Sequence, residues 1–110
     1  MSIASRVLIL RNGASEVEVP IVLDAPLAVD RSWACRYEIG WREGTKTRTS
    51  WGADALQAMV IALQMIGTDI YTSSHHQDGR LIFEEAGQGY GIPVPGNLRD
   101  LLIGRDSMAV

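Results

Sequence analysis

Strict alternation of large apolar and polar residues between positions 32 and 42 constrains the fold of this chain more than any other feature. Five large apolar side chains occupy every second position there: Trp33, Cys35, Tyr37, Ile39 and Trp41. Successive side chains of a β-strand point to opposite faces, so this spacing predicts a strand with one heavy, aromatic face. Such a face must be buried against a second layer of structure.

A β-hairpin is predicted upstream of this strand. Residues 6–10 form a run that is apolar after Arg6, Asn12-Gly13 is a turn-forming pair, and residues 16–23 alternate between apolar and polar positions. A polar, threonine-rich strand over residues 45–51 follows the aromatic strand and is typical of a sheet edge. Four consecutive antiparallel strands are therefore expected.

The register of the hairpin decides which of its apolar residues are buried. A two-residue loop made of Asn12 and Gly13 places Val7 and Ile9 opposite glutamates, whereas a three-residue loop places them opposite valines. The sequence favours the three-residue loop because it pairs apolar residues with one another. Leu8 and Leu10 then lie on the second face of the hairpin, where another surface would have to cover them.

The rest of the chain completes an α+β pattern. Residues 24–31 are predicted to be a connection, residues 53–73 a long helix, residues 73–79 a polar loop and residues 80–84 a short strand. Glycine and proline dominate from residue 86 onward, which indicates an irregular segment. We expect an antiparallel sheet of four to five strands packed against one long helix.

The helix carries more apolar surface than one sheet face can cover. The stripe expected to face the sheet contains Leu56, Met59, Val60, Leu63, Ile66 and Ile70. Four further apolar residues remain outside it: Ala58, Ile61, Ala62 and Met65. We expect Ile61 and Met65, together with Leu8 and Leu10, to form a binding surface that a second copy of the chain covers, which predicts a homodimer or a higher closed assembly. The alternative is that residues 88–110 fold back over this surface within the monomer.

Composition restricts the class of protein. A length of 110 residues predicts a single domain, and a net charge of −3 argues against nucleic-acid binding. The one cysteine needs no oxidising compartment, and the N-terminus does not resemble a signal peptide, so we expect a cytoplasmic protein. Because no apolar stretch is long enough to span a bilayer, no membrane contact is expected.

No residue pattern predicts catalysis, a metal site or a cofactor. Cys35 with His75 or His76 is the one nucleophile and base pair of the cysteine type, but Cys35 is expected in the core. The two adjacent histidines project differently and have no second ligand cluster, so both are expected to be solvated. The glycines over residues 87–91 open no helix and precede no phosphate-binding lysine, so no phosphate loop is predicted.

Two motifs carry a resemblance that spans most of the chain. The first is the strand pattern Trp33-x-Cys35-x-Tyr37-x-Ile39, and the second is the helix start Gly52-x-Asp54-Ala55-Leu56-Gln57-Ala58; Gly89-Tyr90-Gly91-Ile92-Pro93 follows them. Together they resemble a small bacterial family of uncharacterised proteins of about this length, a domain of unknown function. The resemblance implies a bacterial cytoplasmic α+β protein and supplies no activity, ligand or catalytic residue.

These observations favour a non-enzymatic protein-interaction module that is immunity-like or self-associating. Two alternatives stay open. One is a small cysteine-dependent enzyme that uses Cys35 and a histidine. The other is a small-molecule-binding protein with a pocket between the helix and residues 87–96.

Overall fold

The computed structural model describes residues 1–108, in which an antiparallel sheet packs against one main helix. The strands are β1 (Ser2–Asn12), β2 (Ser15–Asp24), β3 (Leu27–Val29), β4 (Ser32–Trp41), β5 (Gly44–Gly52) and β6 (Leu81–Ile82). The helices are α1 (Ala55–Tyr71), the single-turn α2 (Ser74–Gln77) and two 3-10 helices, Gly96–Leu101 and Gly104–Met108. The predicted α+β class is confirmed, and the sheet has six strands where four to five were expected.

Strand β4 lies inside the sheet because both of its edges are paired. β5 runs along the whole of one edge, from the pair Trp33↔Gly52 to the pair Trp41↔Gly44. The other edge pairs with β2 through Tyr37–Ile39 and with β3 through Ser32–Ala34. β1 lies beyond β2, and β6 pairs with β1 over two residues. The sheet therefore ends in the long strand β5 on one side and the short strand β6 on the other.

The connection predicted after β2 contains a short strand. Leu27–Val29 pairs with Ser32–Ala34 after a turn in which Asp30 has a φ of 54°. Aspartate adopts this left-handed conformation more readily than most residues, so the turn can be tight enough for pairing. β3 consequently extends the paired edge of β4 beyond the last residues of β2.

The hairpin of β1 and β2 has a different register from the one predicted. Its loop contains two residues, because Asn12 pairs with Ser15, and Gly13 adopts a φ of 66° inside the loop. Leu8 therefore pairs with Val19 and lies in the core. A change of register by one residue exchanges the two faces of a strand, so the placement of Leu8 and Leu10 on the second face was wrong. Both leucines are buried in the core cluster, which also contains residues of α1.

Helix α1 is also rotated relative to the sequence prediction. Ala58 and Ala62 are fully buried, whereas Leu56 is 71% exposed and Val60 is 45% exposed. The helix lies so close to β5 that the Ser50 hydroxyl donates a 2.6 Å hydrogen bond to the Ala58 carbonyl oxygen. Only small side chains fit at so short a separation, and the larger residues turn outward.

The ends of α1 lie inside the predicted range of residues 53–73. Asp54 caps the N-terminus, and its Oδ1 accepts a 2.7 Å hydrogen bond from the Gln57 amide. The helix ends at Tyr71 after 17 residues. Within residues 1–108, no helix is long and apolar enough to span a membrane.

Candidate interaction site at the free edge of β5

Strand β5 presents a free backbone edge. One of its edges pairs with β4 over all nine residues, and no strand in residues 1–108 pairs with the other. The pairing with β4 advances residue by residue from Gly44 to Gly52 without a bulge. An unbroken edge strand of this kind exposes a row of N–H and C=O groups that an additional strand can pair with.

Helix α1 runs along β5 in the opposite direction and covers its core side. Near one end, the Ser50 hydroxyl contacts the Ala58 carbonyl oxygen. Near the other end, Lys46 and Arg48 contact Asp69. The helix therefore lies along the core side of β5 over most of the length of the strand.

Asp69 is the centre of a polar cluster between α1 and β5. Its Oδ1 accepts hydrogen bonds from Lys46 Nζ at 3.2 Å and from Arg48 NH1 at 2.9 Å, and its Oδ2 accepts one from the Tyr37 hydroxyl. Asp69 is 8% exposed. The pKa of Tyr37 is raised mainly by burial and secondly by the hydrogen bond to Asp69. The Tyr37 hydroxyl therefore stays a donor at neutral pH.

Two half-buried apolar residues of α1 flank the same edge. Leu63 lines a cleft with Ile21 of β2. Ile61 and Met65 lie two residues from Leu63, which is about 200° around an α-helix, so they lie on the side of α1 away from this cleft. Met65 is one turn before Asp69, which contacts Lys46 and Arg48 of β5, and Ile61 is one turn before Met65. We infer from this spacing that both residues border the free edge.

An apolar row borders the edge on the other face of the sheet. Leu27 pairs with Ala34, and Ala34 pairs with Trp51, so the three side chains lie in one line across β3, β4 and β5. Leu27 is 65% exposed and Trp51 is 55% exposed. Trp51 is exposed because it lies on the face of the sheet that carries no helix.

The four residues predicted to form a binding surface separate into two pairs. Leu8 and Leu10 belong to the core and are unavailable to a partner, because the hairpin register pairs them with Val19 and Val17 on the buried face. Ile61 and Met65 are half-buried beside β5, and Met65 also packs against the core. A binding role for this second pair stays a prediction.

Cys35 is a core residue on β4, as the alternation predicts. It is fully buried, and its Sγ lies 3.5 Å from the Asp24 carbonyl oxygen. Burial, and next the charge of Asp24, raises the pKa of the thiol. A raised pKa disfavours the thiolate that a nucleophilic cysteine requires.

His75 and His76 lie on α2, and the prediction that both are solvated was wrong. His75 stacks on Trp41 with ring centroids 5.0 Å apart, and its Nε2 lies 3.0 Å from Glu43 Oε2. The His76 Nδ1 contacts the Tyr90 hydroxyl, and burial lowers the pKa of His76. The two rings have different partners. Across the part of the chain that the structure describes, no group of three or more His, Cys, Asp or Glu residues could hold a metal ion.

Asp106 holds the irregular C-terminal segment against α1. Its Oδ2 accepts hydrogen bonds from the Tyr71 hydroxyl at 2.5 Å and the Tyr90 amide at 2.8 Å. Its Oδ1 accepts one from the Gly91 amide at 2.8 Å. Burial, and next the negative charge of Asp106, raises the pKa of Tyr90 to about 12. One carboxylate thus ties the C-terminus to the helix.

The sequence prediction missed both aspartates. Asp69 lies three residues after Ile66, on the stripe of α1 that faces the sheet, and Lys46 and Arg48 alternate on one face of β5. This pattern of one carboxylate facing two cations is a usable signal once the helix orientation is known. No local sequence pattern predicts the buried position of Asp106, because its hydrogen-bond partners lie 15 to 35 residues away in the chain.

The comparisons with known proteins identify a family and no activity. No curated protein and no solved structure matched the chain. One family model matched residues 4–94, which include all six strands except the first two residues of β1, together with α1 and α2. The chain therefore belongs to the family described as Domain of unknown function (DUF6968).

Proposed function

We propose that this protein is a non-enzymatic interaction module that binds an extended segment of another polypeptide chain at the free edge of β5. The observation that carries the proposal is the unpaired edge, which runs over nine residues between Gly44 and Gly52. Proteins that bind by strand addition gain affinity from main-chain hydrogen bonds and specificity from side-chain contacts on either face of the new strand.

The edge lacks two of the devices that usually protect edge strands, a proline and a bulge. Natural proteins blunt such edges with prolines, bulges, charged side chains or a covering helix or loop. β5 has no proline or bulge, and its two charged residues, Lys46 and Arg48, turn toward Asp69 on the helix side. Neither a proline nor a bulge therefore interrupts the row of backbone groups along the edge.

Side chains suited to hold an added strand lie on both sides of the edge. On the helix side are Ile61 and Met65, and on the other face is Trp51, which is 55% exposed. Alternate residues of an added strand would point to these two sides in turn. Exposed tryptophans are frequent anchors of protein interfaces.

The opposite end of the sheet is less open. β6 pairs with Ile9 and Leu10 of β1. Arg6 donates hydrogen bonds to the carbonyl oxygens of Tyr90 and Gly91, so the C-terminal segment lies beside the remainder of that edge. β5 is consequently the better candidate for strand addition.

The buried thiol supports a role without catalysis. Cys35 is fully buried, and neither histidine contacts it among the hydrogen bonds and ring contacts of residues 1–108. A cysteine-dependent enzyme needs an accessible thiolate with an adjacent base.

The test is selection of binders from a displayed library of random peptides as long as β5. We expect the selected peptides to protect alternate β5 amides from hydrogen exchange, namely those that do not bond to β4, because adjacent residues of an antiparallel strand point their N–H groups to opposite edges. Residue-resolved exchange measured by NMR, with and without the selected peptide, provides the measurement.

A matched pair of variants controls this experiment. Ile61→Glu places a charge beside the edge and should abolish binding of the selected peptides. Val60→Glu introduces the same charge on the neighbouring helix position, which is already 45% exposed, and should leave binding unchanged. Peptides that bind both variants equally, or that protect amides outside β5, would overturn the proposal.

Small-molecule binding is a second candidate function, favoured by two clefts. One, of about 200 Å³, lies between α1 and the Gly91–Pro93 segment, within the region where a small-molecule-binding protein would need its pocket. The other, of about 600 Å³, is lined by Ile92, Val94, Leu102 and Arg99 and has the volume of a typical ligand site. A screen of small organic acids by NMR would test it, with shifts of the Ile92 and Val94 amides as the expected sign of binding.

A further inference from the structure

We infer that the segment added to β5 is an acidic strand from a different protein and not a second copy of this chain. The inference rests on the proposed function and identifies the partner of the same edge. It derives from the charges on the helix side of β5.

That side of the edge carries an excess of positive charge. Lys46 and Arg48 supply two positive charges, and Asp69 is the one carboxylate in residues 1–108 that forms a salt bridge with either of them. Both cations contact the same atom, Oδ1, while Oδ2 accepts from the Tyr37 hydroxyl. One positive charge is therefore left without a counter-charge.

The cations also retain unused hydrogen-bond donors. An ammonium group has three N–H donors and a guanidinium group five, whereas Lys46 and Arg48 each make one side-chain hydrogen bond. Their side chains are 46% and 42% exposed. Donors of this kind beside a free edge can pair with carboxylates on an added strand.

The carboxylates just outside the two ends of β5 have partners of their own. At the start of β5, Glu43 pairs with His75. Beyond its end, the Asp54 side chain caps α1. Neither group supplies the missing negative charge along the edge.

A second copy of the chain fits this edge poorly. Two antiparallel copies of β5 would bring Lys46 and Arg48 of one copy beside the same residues of the other, with four cations facing two aspartates. Like charges placed opposite each other across strands are destabilising, whereas opposite charges stabilise the pair. A partner strand with Asp or Glu at alternate positions removes the excess. The remaining side chains of the partner strand would face Thr45, Thr47, Thr49 and Trp51 of β5.

The probes are two synthetic peptides as long as β5, one alternating Glu with Val and the other alternating Lys with Val. We expect the Glu peptide to bind at least about tenfold more tightly, and its affinity to fall as ionic strength rises from about 0.05 M to about 0.5 M. Binding is measured by fluorescence anisotropy of labelled peptides.

Asp69→Asn provides a test in which folding and binding change in opposite directions. The substitution raises the excess charge from one to two, so the Glu peptide should bind several-fold more tightly even though the variant is less stable. Arg48→Gln should weaken binding of the Glu peptide, and circular dichroism would show whether each variant is folded at the assay temperature. The control Glu18→Gln, on an exposed part of β2, should change neither the stability of the protein nor its affinity for the Glu peptide.

The outcomes separate the two proposals. Equal affinity for both peptides, with protection of β5 amides, would overturn the acidic partner and leave the edge as a binding site. Failure of both peptides and of library selection would overturn the proposed function. A mass near twice 12.0 kDa by sedimentation, reduced by Ile61→Glu and not by Val60→Glu, would show that the partner is a second copy and overturn this inference.

Discussion

Gly67 allows the C-terminal segment to contact α1, because any side chain at this position would collide with that segment. A Cβ atom there would lie 1.9 Å from the Pro93 carbonyl oxygen and 3.1 Å from Val94 Cγ1. Glycine inside a helix is ordinarily unfavourable, so its presence in the middle of α1 reflects this close contact. The helix continues past Gly67 and ends at Tyr71.

Gly67→Ala should therefore destabilise the protein although alanine favours helices. We expect a loss of about 1 to 3 kcal/mol, because the added methyl group forces α1 and Pro93 apart and outweighs the gain of about 1 kcal/mol in helix propensity. Urea denaturation measures the change, with Gln64→Ala on the same helix as the control. A Gly67→Ala variant as stable as the wild type would contradict the contact.

His76 should make stability depend on pH. Burial lowers its pKa from the usual 6.5, so the unfolded chain binds a proton more readily than the folded one. This contribution to stability is fully present above about pH 6.5 and is lost as the pH falls through the lower, folded-state pKa. The free energy of unfolding, measured in urea between about pH 7.5 and about pH 5, should decrease less steeply for His76→Asn than for the wild type. Identical slopes would show that the His76 ring ionises freely.

Among the elements, α1 and β5 depend on each other through one carboxylate. Asp69 is buried, and its two oxygens accept hydrogen bonds from Tyr37, Lys46 and Arg48. Without this negative charge, the two cations would remain close together beside the helix. The group therefore contributes both to helix docking and to the position of the edge strand.

We expect Asp69→Asn to cost about 1 to 3 kcal/mol, the range found when a buried polar group loses hydrogen-bond partners. Thermal or urea denaturation gives the value, and the exposed change Glu18→Gln serves as the control. The loss should shrink when Lys46→Gln is added, because one unpaired cation has then been removed. Purely additive losses in this double-mutant cycle would contradict direct coupling.

Periodicity predicts the elements well and their faces less well. The alternation from Trp33 to Trp41 fixes β4, including the burial of Cys35, Tyr37 and Ile39. The face of α1 was mistaken because hydrophobicity ranks leucine and valine above alanine, whereas the short separation between α1 and β5 admits only Ala58 and Ala62. The hairpin register depended on one loop residue, which composition alone does not decide.

The candidate site was predictable only in part, for the same reason. Ile61 and Met65 were identified as apolar residues left over on the helix. The free edge of β5 depends on strand order, and the cation pair on the distance from β5 to Asp69. Both are properties of the assembled sheet and have no local sequence pattern.

At the scale of the molecule, Asp106 closes the C-terminal segment over α1. It is 7% exposed and accepts from Tyr71, Tyr90 and Gly91. Asp106→Ala should release residues after Gly87 without unfolding the sheet, because the substitution leaves the strand pairings intact. Limited proteolysis followed by mass spectrometry should show faster cleavage in this segment, whereas Asp100→Ala, at an exposed position, should not. Equal cleavage of both variants would contradict the clamp.

The order of the elements also bears on how the chain folds. β1 pairs with β2, β3 with β4, and β4 with both β2 and β5, so most strand contacts join elements that are neighbours or near neighbours along the chain. Contacts of short sequence separation favour rapid folding. The pairing of β6 with β1 joins Ile9 to Ile82, and the hydrogen bond from Arg6 to the Tyr90 carbonyl oxygen joins residues 84 positions apart. Because contacts of long sequence separation form slowly, we expect the C-terminal segment to fold last and to open first.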